Sequence, residues 1–253
     1  MLLDIHCHLT DKYFNDKIEH LIKACNAQNI GIIISAGLNP EDNKKVLELS
    51  RKFDIVKASL GIYPIDSISL TEHEIDNEID FIKKNKNKII AISEVGLDLF
   101  YTKKIKKQRE VFQKFIELSE KISKPLIIHS RKAEQEVIAM LESSRVKFPI
   151  FHSFGGNKNL VKRAIDNECY FSVPPLIVRS SNFQTLVSLV PLNQLLTESD
   201  SPYQSPKKEE ENTPINVREC IRKISEIKNL DNLETENIIF MNFQKIFKKW
   251  KTI

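Results

Sequence analysis

The chain predicts an α/β fold, a (β/α)8 TIM barrel with extra C-terminal helices. Three observations carry that prediction. Short β-branched runs, most of them continuous in apolar character, recur eight times along 253 residues. Helix-period segments fill the intervals between them. No Gly-x-Gly-x-x-Gly follows the first run, which argues against an open dinucleotide-binding sheet. Parallel strands need crossover helices, and strands covered on both faces lose the polar alternation of a half-exposed sheet. A chain of this length matches one barrel, so residues 1–253 are expected to form a single domain.

The eight runs are Leu2–His6, Ile30–Ser35, Ile55–Leu60, Lys88–Ser93, Leu126–His129, Pro149–His152, Cys169–Val173 and Gln194–Thr197. After the first, Ile18, Leu21, Ile22 and Cys25 line one face of a helix over Asp16–Ala27. Thr71-Glu72-His73-Glu74 resembles a capping box ahead of Ile75, Ile79 and Ile82. Val111, Phe112, Phe115, Ile116 and Leu118 mark a helix after the fourth run, with the stripe read as core. Val137, Ile138 and Leu141 mark one after the fifth, and Leu160, Val161, Ala164 and Ile165 one after the sixth. Two further helices close the chain. One runs near Asn216–Ile227, and the other starts at Asp231-x-x-Glu234 and continues towards Trp250. The polar stretch Gln204–Thr213 reads as a rim loop.

A content of 41% hydrophobic and 28% charged residues, with 6 Gly and 10 Pro, excludes disordered and collagen-like classes. The net charge of +4 is too small to mark a polyanion binder by its field alone, so any nucleic-acid contact has to be local. The best apolar stretch, Ile30 to Leu38, is broken by Gly31, Ser35 and Gly37 and falls short of the roughly 20 residues of a bilayer span. Met1-Leu2-Leu3-Asp4 lacks the basic start of a secretion signal, so the expected compartment is the cytoplasm, with no membrane association. Cys7, Cys25, Cys169 and Cys220 form no Cys-x-x-Cys pair and are expected to be reduced.

Four of the six histidines, His6, His8, His129 and His152, fall at the C-terminal ends of predicted strands, while His20 and His73 lie on predicted helices. In a barrel those strand ends form one rim and aim their side chains at a common mouth. Glu94 closes the fourth strand and Asp200 the eighth. His6-x-His8 puts both imidazoles on one side, because strand side chains repeat every two residues. Alone, such a pair reads equally well as two hydrogen-bonded imidazoles. Four imidazoles and two carboxylates at one rim are costly to bury without a cation or a shared proton, so a dinuclear metal site is expected.

The blocks Asp4-Ile5-His6-Cys7-His8-Leu9, Ser93-Glu94-Val95-Gly96-Leu97-Asp98, Ile128-His129-Ser130-Arg131, His152-Ser153-Phe154-Gly155-Gly156 and Leu196-Thr197-Glu198-Ser199-Asp200-Ser201-Pro202-Tyr203 resemble, in order, the signature of TatD-type deoxyribonucleases. The resemblance spans nearly the whole chain and implies a metal-dependent member of the amidohydrolase superfamily. It implies His6 and His8 on one ion with Asp200, His129 and His152 on a second, and Glu94 bridging both. The ions are two divalent metals, with four imidazoles favouring zinc, manganese or a similar ion and the resemblance suggesting magnesium.

Two ions suit phosphodiester hydrolysis, since one acidifies water while both offset charge on phosphoryl oxygens. Asp200 then either accepts the water's proton or serves as ligand only. Arg131 offers a planar fork and Ser130 a hydroxyl to a phosphate, with a surface salt bridge as the other reading of Arg131. Lys103, Lys104, Lys106, Lys107 and Arg109 crowd a predicted helix start against the macrodipole. They are either a solvated basic face or a path for a phosphate backbone, beside which Phe100 and Tyr101 could stack unpaired bases.

Three stretches depart from the family pattern. Gly61-Ile62-Tyr63-Pro64 stands where Gly-x-His-Pro is usual, so Tyr63 replaces an imidazole expected to touch substrate. Ser153 and Gly155 stand where Cys and Ser are more frequent. Asn212-Thr213-Pro214 replaces an Arg-Asn-Glu-Pro type run, with Lys207 and Lys208 as substitutes for the Arg. The expected function is hydrolysis of DNA, single-stranded by preference, with no obligate protein partner. The rivals are a deacylase, lactonase or phosphotriesterase acting on a small molecule, and a non-catalytic barrel binding protein.

Overall fold

The computed structural model describes residues 1–247. Within them the strands are β1 Leu2–Cys7, β2 Ile30–Ala36, β3 Val56–Leu60, β4 Ile89–Gly96, β5 Leu126–His129, β6 Pro149–His152, β7 Tyr170–Val173 and β8 Leu195–Thr197. All neighbours pair in parallel, in sequence order from β1 to β8. The helices are α1 Ile18–Ala27, α2 Pro40–Lys52, α3 Asp66–Ser69, α4 Glu72–Lys84, α5 Ile105–Ile122, α6 Glu134–Glu142, α7 Lys158–Asp166, α8 Ser181–Leu189, α9 Val217–Lys228 and α10 Asn232–Ile246. The fold is the expected TIM barrel, nearly closed, with α9 and α10 as the additional C-terminal helices.

β-branched residues dominate the strands because both faces are covered: Ile33, Ile34, Ile92, Ile127, Ile128 and Ile150 are inaccessible to solvent. Each such side chain contributes about 1.5–3 kcal/mol by leaving water. Thr71 and Glu74 form the anticipated reciprocal cap of α4. Asp231 caps α10 by accepting from the Glu234 backbone N–H at 2.7 Å. The expected continuation of α10 to Trp250 lies outside the described residues. The four cysteines are free and buried, and no helix among the described residues is long and apolar enough to cross a membrane.

Strand β8 is three residues long, and side chains and strand-end backbone bridge its seam with β1. Thr197 Oγ1 donates to Leu3 O (2.7 Å), Ser199 N to Asp4 Oδ1 (2.8 Å) and Ser199 Oγ to Asp4 Oδ2 (2.5 Å). Burial pushes the Asp4 carboxyl up to about 8, against the hydrogen bonds from Ser199 and the His6 N–H. Beyond the strands, Asp200 N donates to His6 O (2.9 Å) and His8 N to Ser201 O (2.8 Å). These two bonds tie the ends of the first and last strands together at the rim.

Candidate metal centre

The fourth strand runs past its expected end at Ser93, because pairing with β5 continues through Val95↔Ile128 and Gly96↔His129. Gly96 permits this close approach: its φ is +139°, and a Cβ there would meet the His129 carbonyl oxygen at 2.0 Å. Glu94 therefore sits inside β4, not at its tip, with its N–H donated to Gly37 O at 2.9 Å. The peptide bonds Ser93–Glu94 and Ser201–Pro202 are cis.

The structure brings His6, His8, Glu94, His129, His152 and Asp200 into one cluster, in two groups that share Glu94. In the first, Glu94 Oε2 lies 3.5 Å from both His6 Nε2 and His8 Nε2. Asp200 Oδ1 lies 3.6 Å and 3.4 Å from the same nitrogens. In the second, Glu94 Oε1 lies 2.7 Å from His129 Nδ1 and 3.1 Å from His152 Nε2, and those nitrogens are 3.1 Å apart. His6 and His152 stack at 4.1 Å between centroids, joining the groups.

The donor set fits divalent metal. His6 Nε2 is buried without a hydrogen-bond partner although it faces two carboxylates. An unsatisfied buried group costs about 1–3 kcal/mol, a cost that coordination removes. Ligands on a tetrahedral ion with bonds of about 2.0–2.1 Å stand about 3.3 Å apart, close to the spacing in the first group. Donor atoms of His6, His8 and Glu94, of His6, His152 and Asp200, and of Glu94, His129 and His152 each form a triad within 4.8 Å.

Electrostatics inside the cluster are strong. Burial alone would raise the Glu94 carboxyl, but the charge of His152 and the hydrogen bonds from His129 and His152 hold it well below the carboxylate range. Asp200 is also held low, burial being outweighed by His8 and by the charges of His152 and His6. Burial and the charge of His152 push His6 down to about 4. His152 is raised well above its ordinary value, where Glu94 and Glu198 overcome burial.

Two carboxylates to which sequence reasoning gave no role stand behind the second group. Asp98 Oδ2 lies 2.9 Å from His129 Nε2, which turns Nδ1 towards Glu94. Glu198 Oε2 lies 3.8 Å from His152 Nδ1 and accepts from Ser172 Oγ at 2.5 Å, while Glu198 Oε1 accepts from Ser153 N at 2.9 Å. Carboxylates placed behind metal-binding imidazoles fix ring orientation and raise ligand basicity. The spacing Glu198-x-Asp200, read as His6-x-His8 was read, carries the signal for Glu198. Asp98 stands four residues after Glu94, and its partner is set by the β4–β5 contact.

The expected substrate contacts are spread around the mouth. Tyr63 is half-buried and donates its hydroxyl to Asp98 Oδ2 at 3.0 Å, with its ring edge-on to His129 at 5.1 Å. Ser130 is buried beneath the rim. Arg131 is exposed and has no ion-pair partner among the described residues; its guanidinium stands 3.8 Å from the Phe100 centroid. Lys103, Lys104 and Lys106 are exposed at the start of α5. The stripe is shorter than expected as a free surface, since Lys107 donates to Leu70 O and Arg109 pairs with Glu136 at 3.1 Å. Lys207 pairs with Glu210 at 3.1 Å, on a loop pinned where Asn212 Nδ2 donates to Ser199 O (2.6 Å) and Tyr203 O (2.8 Å).

Comparison with known proteins assigns the chain to a family. The model of TatD-related DNases matches residues 3–248. A metal-dependent hydrolase of Methanocaldococcus jannaschii is 32% identical over 248 residues, covering 98% of this chain and 97% of the relative. Human deoxyribonuclease TATDN3 is 27% identical over 260 residues, covering 98% and 95%. The crystal structure of YjjV, a TatD homologue of Escherichia coli, matches in fold with a TM-score of 0.91 at 21% identity, over 98% of both chains. The chain belongs to the TatD-related DNase family and is a metal-dependent hydrolase of that type.

Proposed function

We propose that the protein hydrolyses phosphodiester bonds of DNA, preferring single strands, with two divalent ions held across Glu94. The observation that carries this reading is the two-sided use of one carboxylate. Glu94 Oε2 faces His6 and His8, and Glu94 Oε1 faces His129 and His152. Bound by these residues, a pair of divalent ions would supply Lewis acidity, lowering the pKa of water and offsetting negative charge on phosphoryl oxygens. The chain's own groups do the rest. Asp200 Oδ1 stands 3.4 Å from His8 Nε2, and its carboxylate is the group beside the first pair of imidazoles that would orient the attacking water and accept its proton. Asp98 holds His129 through its Nε2, and the Glu198 carboxylate supplies negative charge behind His152 at 3.8 Å. Arg131 presents free N–H donors to a phosphate, and Lys103 and Lys104 extend the positive potential along the rim.

The names of the relatives support DNA as substrate. The test offers the purified protein single-stranded DNA beside a panel of ester and amide substrates, with and without chelator. Chelator-sensitive cleavage of DNA, and little turnover of the panel, is expected; the reverse preference would make the protein a deacylase, lactonase or phosphotriesterase. Replacing Lys103 and Lys104 with Gln should make the log–log salt dependence of single-stranded DNA binding shallower by about 0.7 per lost phosphate contact. An unchanged slope would return these lysines to plain solvated surface.

A further inference from the structure

Two large aromatic rings stand in water beside a buried ionic centre. Phe100 is 53% exposed and Tyr101 63% exposed, packed edge to face at 5.0 Å between centroids. Both rings keep exposed aromatic surface on which a flat ligand can stack. Arg131 lies against both, 3.8 Å from the Phe100 centroid and 5.1 Å from that of Tyr101. Nη1 donates to the Tyr101 hydroxyl at 3.2 Å. A guanidinium has five N–H donors, so most of the fork remains free to meet an anion.

The backbone under these rings is fixed to the metal centre by one side chain. Asp98 Oδ1 accepts from the backbone N–H groups of Phe100 (2.8 Å) and Tyr101 (3.2 Å), while Asp98 Oδ2 holds His129 Nε2 at 2.9 Å. Gln108 fixes Asp98 itself, accepting from its N–H at 2.7 Å and donating to its carbonyl at 3.0 Å. Leu99 N donates to Arg131 O at 2.9 Å. The aromatic pair and the cation thus keep a set place relative to an imidazole of the centre.

We propose that Phe100, Tyr101 and Arg131 form a platform on which an unpaired nucleobase of the substrate strand stacks while Arg131 takes a neighbouring phosphate, with Asp98 as the positioning residue. This rests on the reading of single-stranded DNA as substrate. Stacking needs a π face and no particular base, so the platform selects unpaired strands over duplex without selecting sequence. A duplex keeps its bases stacked on one another and offers no free face to the rings.

The experiment is a two-by-two binding comparison on metal-reconstituted protein. The wild-type chain and the double variant Phe100→Leu/Tyr101→Leu are each titrated with a cleavage-resistant phosphorothioate oligothymidylate and with the same oligomer made abasic. Wild type is expected to bind the base-bearing strand about 5- to 150-fold more tightly than the abasic one, the range of one base–aromatic stack. The leucine variant should lose that preference, and the exchanges Phe100→Tyr and Tyr101→Phe should keep it. A leucine variant that retains the preference would overturn the platform while leaving the nuclease reading intact, as would a wild type that cleaves DNA without distinguishing the two strands. A wild type that neither binds nor cleaves DNA would remove the substrate reading itself, and the platform with it.

Discussion

The two halves of the centre use the same kinds of residue and are built differently. On the His6, His8 and Asp200 side, donor atoms stand 3.4–3.6 Å from their carboxylate neighbours, and His6 Nε2 has no hydrogen-bond partner. On the His129 and His152 side the separations from Glu94 Oε1 are 2.7 Å and 3.1 Å; Asp98 Oδ2 stands 2.9 Å from His129 Nε2, whereas Glu198 Oε2 stays 3.8 Å from His152 Nδ1, which has no hydrogen-bond partner either. The first half is already at ligand spacing. The second is drawn tighter than ligand spacing around Glu94 Oε1 and has to open before it accepts a cation. Preorganisation therefore differs across one carboxylate, and the two halves are expected to take metal with unequal affinity.

The largest single effect on the first half is expected from Asp200→Asn. Losing the proton acceptor should lower kcat by about 10²–10⁴-fold, even when excess metal restores occupancy. Steady-state kinetics at saturating metal decides it, since full rescue by metal alone would reduce Asp200 to a ligand.

The second half can be weakened from behind. Asp98→Asn keeps the shape but leaves His129 Nε2 facing an amide, and metal affinity or activity should fall by about 10–100-fold. Isothermal titration should place that loss in the weaker step and leave the tighter one in place. A loss confined to the tighter step would invert the assignment of the two halves.

The smallest effect expected is from Tyr63→Phe. It removes the second donor to Asp98 Oδ2 while the His129 contact persists. Because Asp98 keeps His129 and two backbone N–H groups as partners, the loss of this one bond is expected to change kcat/KM by only roughly 2- to 10-fold. A loss as large as that of Asp98→Asn would mean the phenol acts on substrate directly.

The same contrast shows what the sequence makes legible. Strands such as Leu126–His129 and Pro149–His152 were bounded correctly because burial on both faces leaves a continuous apolar run. The six rim residues were legible because parallel strands of a barrel end on one side, which converts a list of strand ends into a place. The sequence puts Glu94 at a strand tip, whereas it lies inside β4, because pairing with β5 through Val95↔Ile128 and Gly96↔His129 extends the strand. Asp98 closes a family block in which the sequence gives it no role. Its function depends on how the ends of β4 and β5 meet, and no periodicity encodes that meeting. The lysine stripe read as five equal charges, but contacts from Leu70 and Glu136, distant in sequence, engage Lys107 and Arg109.

Metal stoichiometry measured on the wild-type chain and on Glu94→Gln tests the shared carboxylate most directly. Elemental analysis and calorimetric titration should find two equivalents per wild-type chain, bound in unequal steps. In the variant both steps should weaken and turnover should vanish, with the barrel still folded because Glu94 serves the rim. One equivalent in the wild type, or full occupancy with retained activity in Glu94→Gln, would contradict the account.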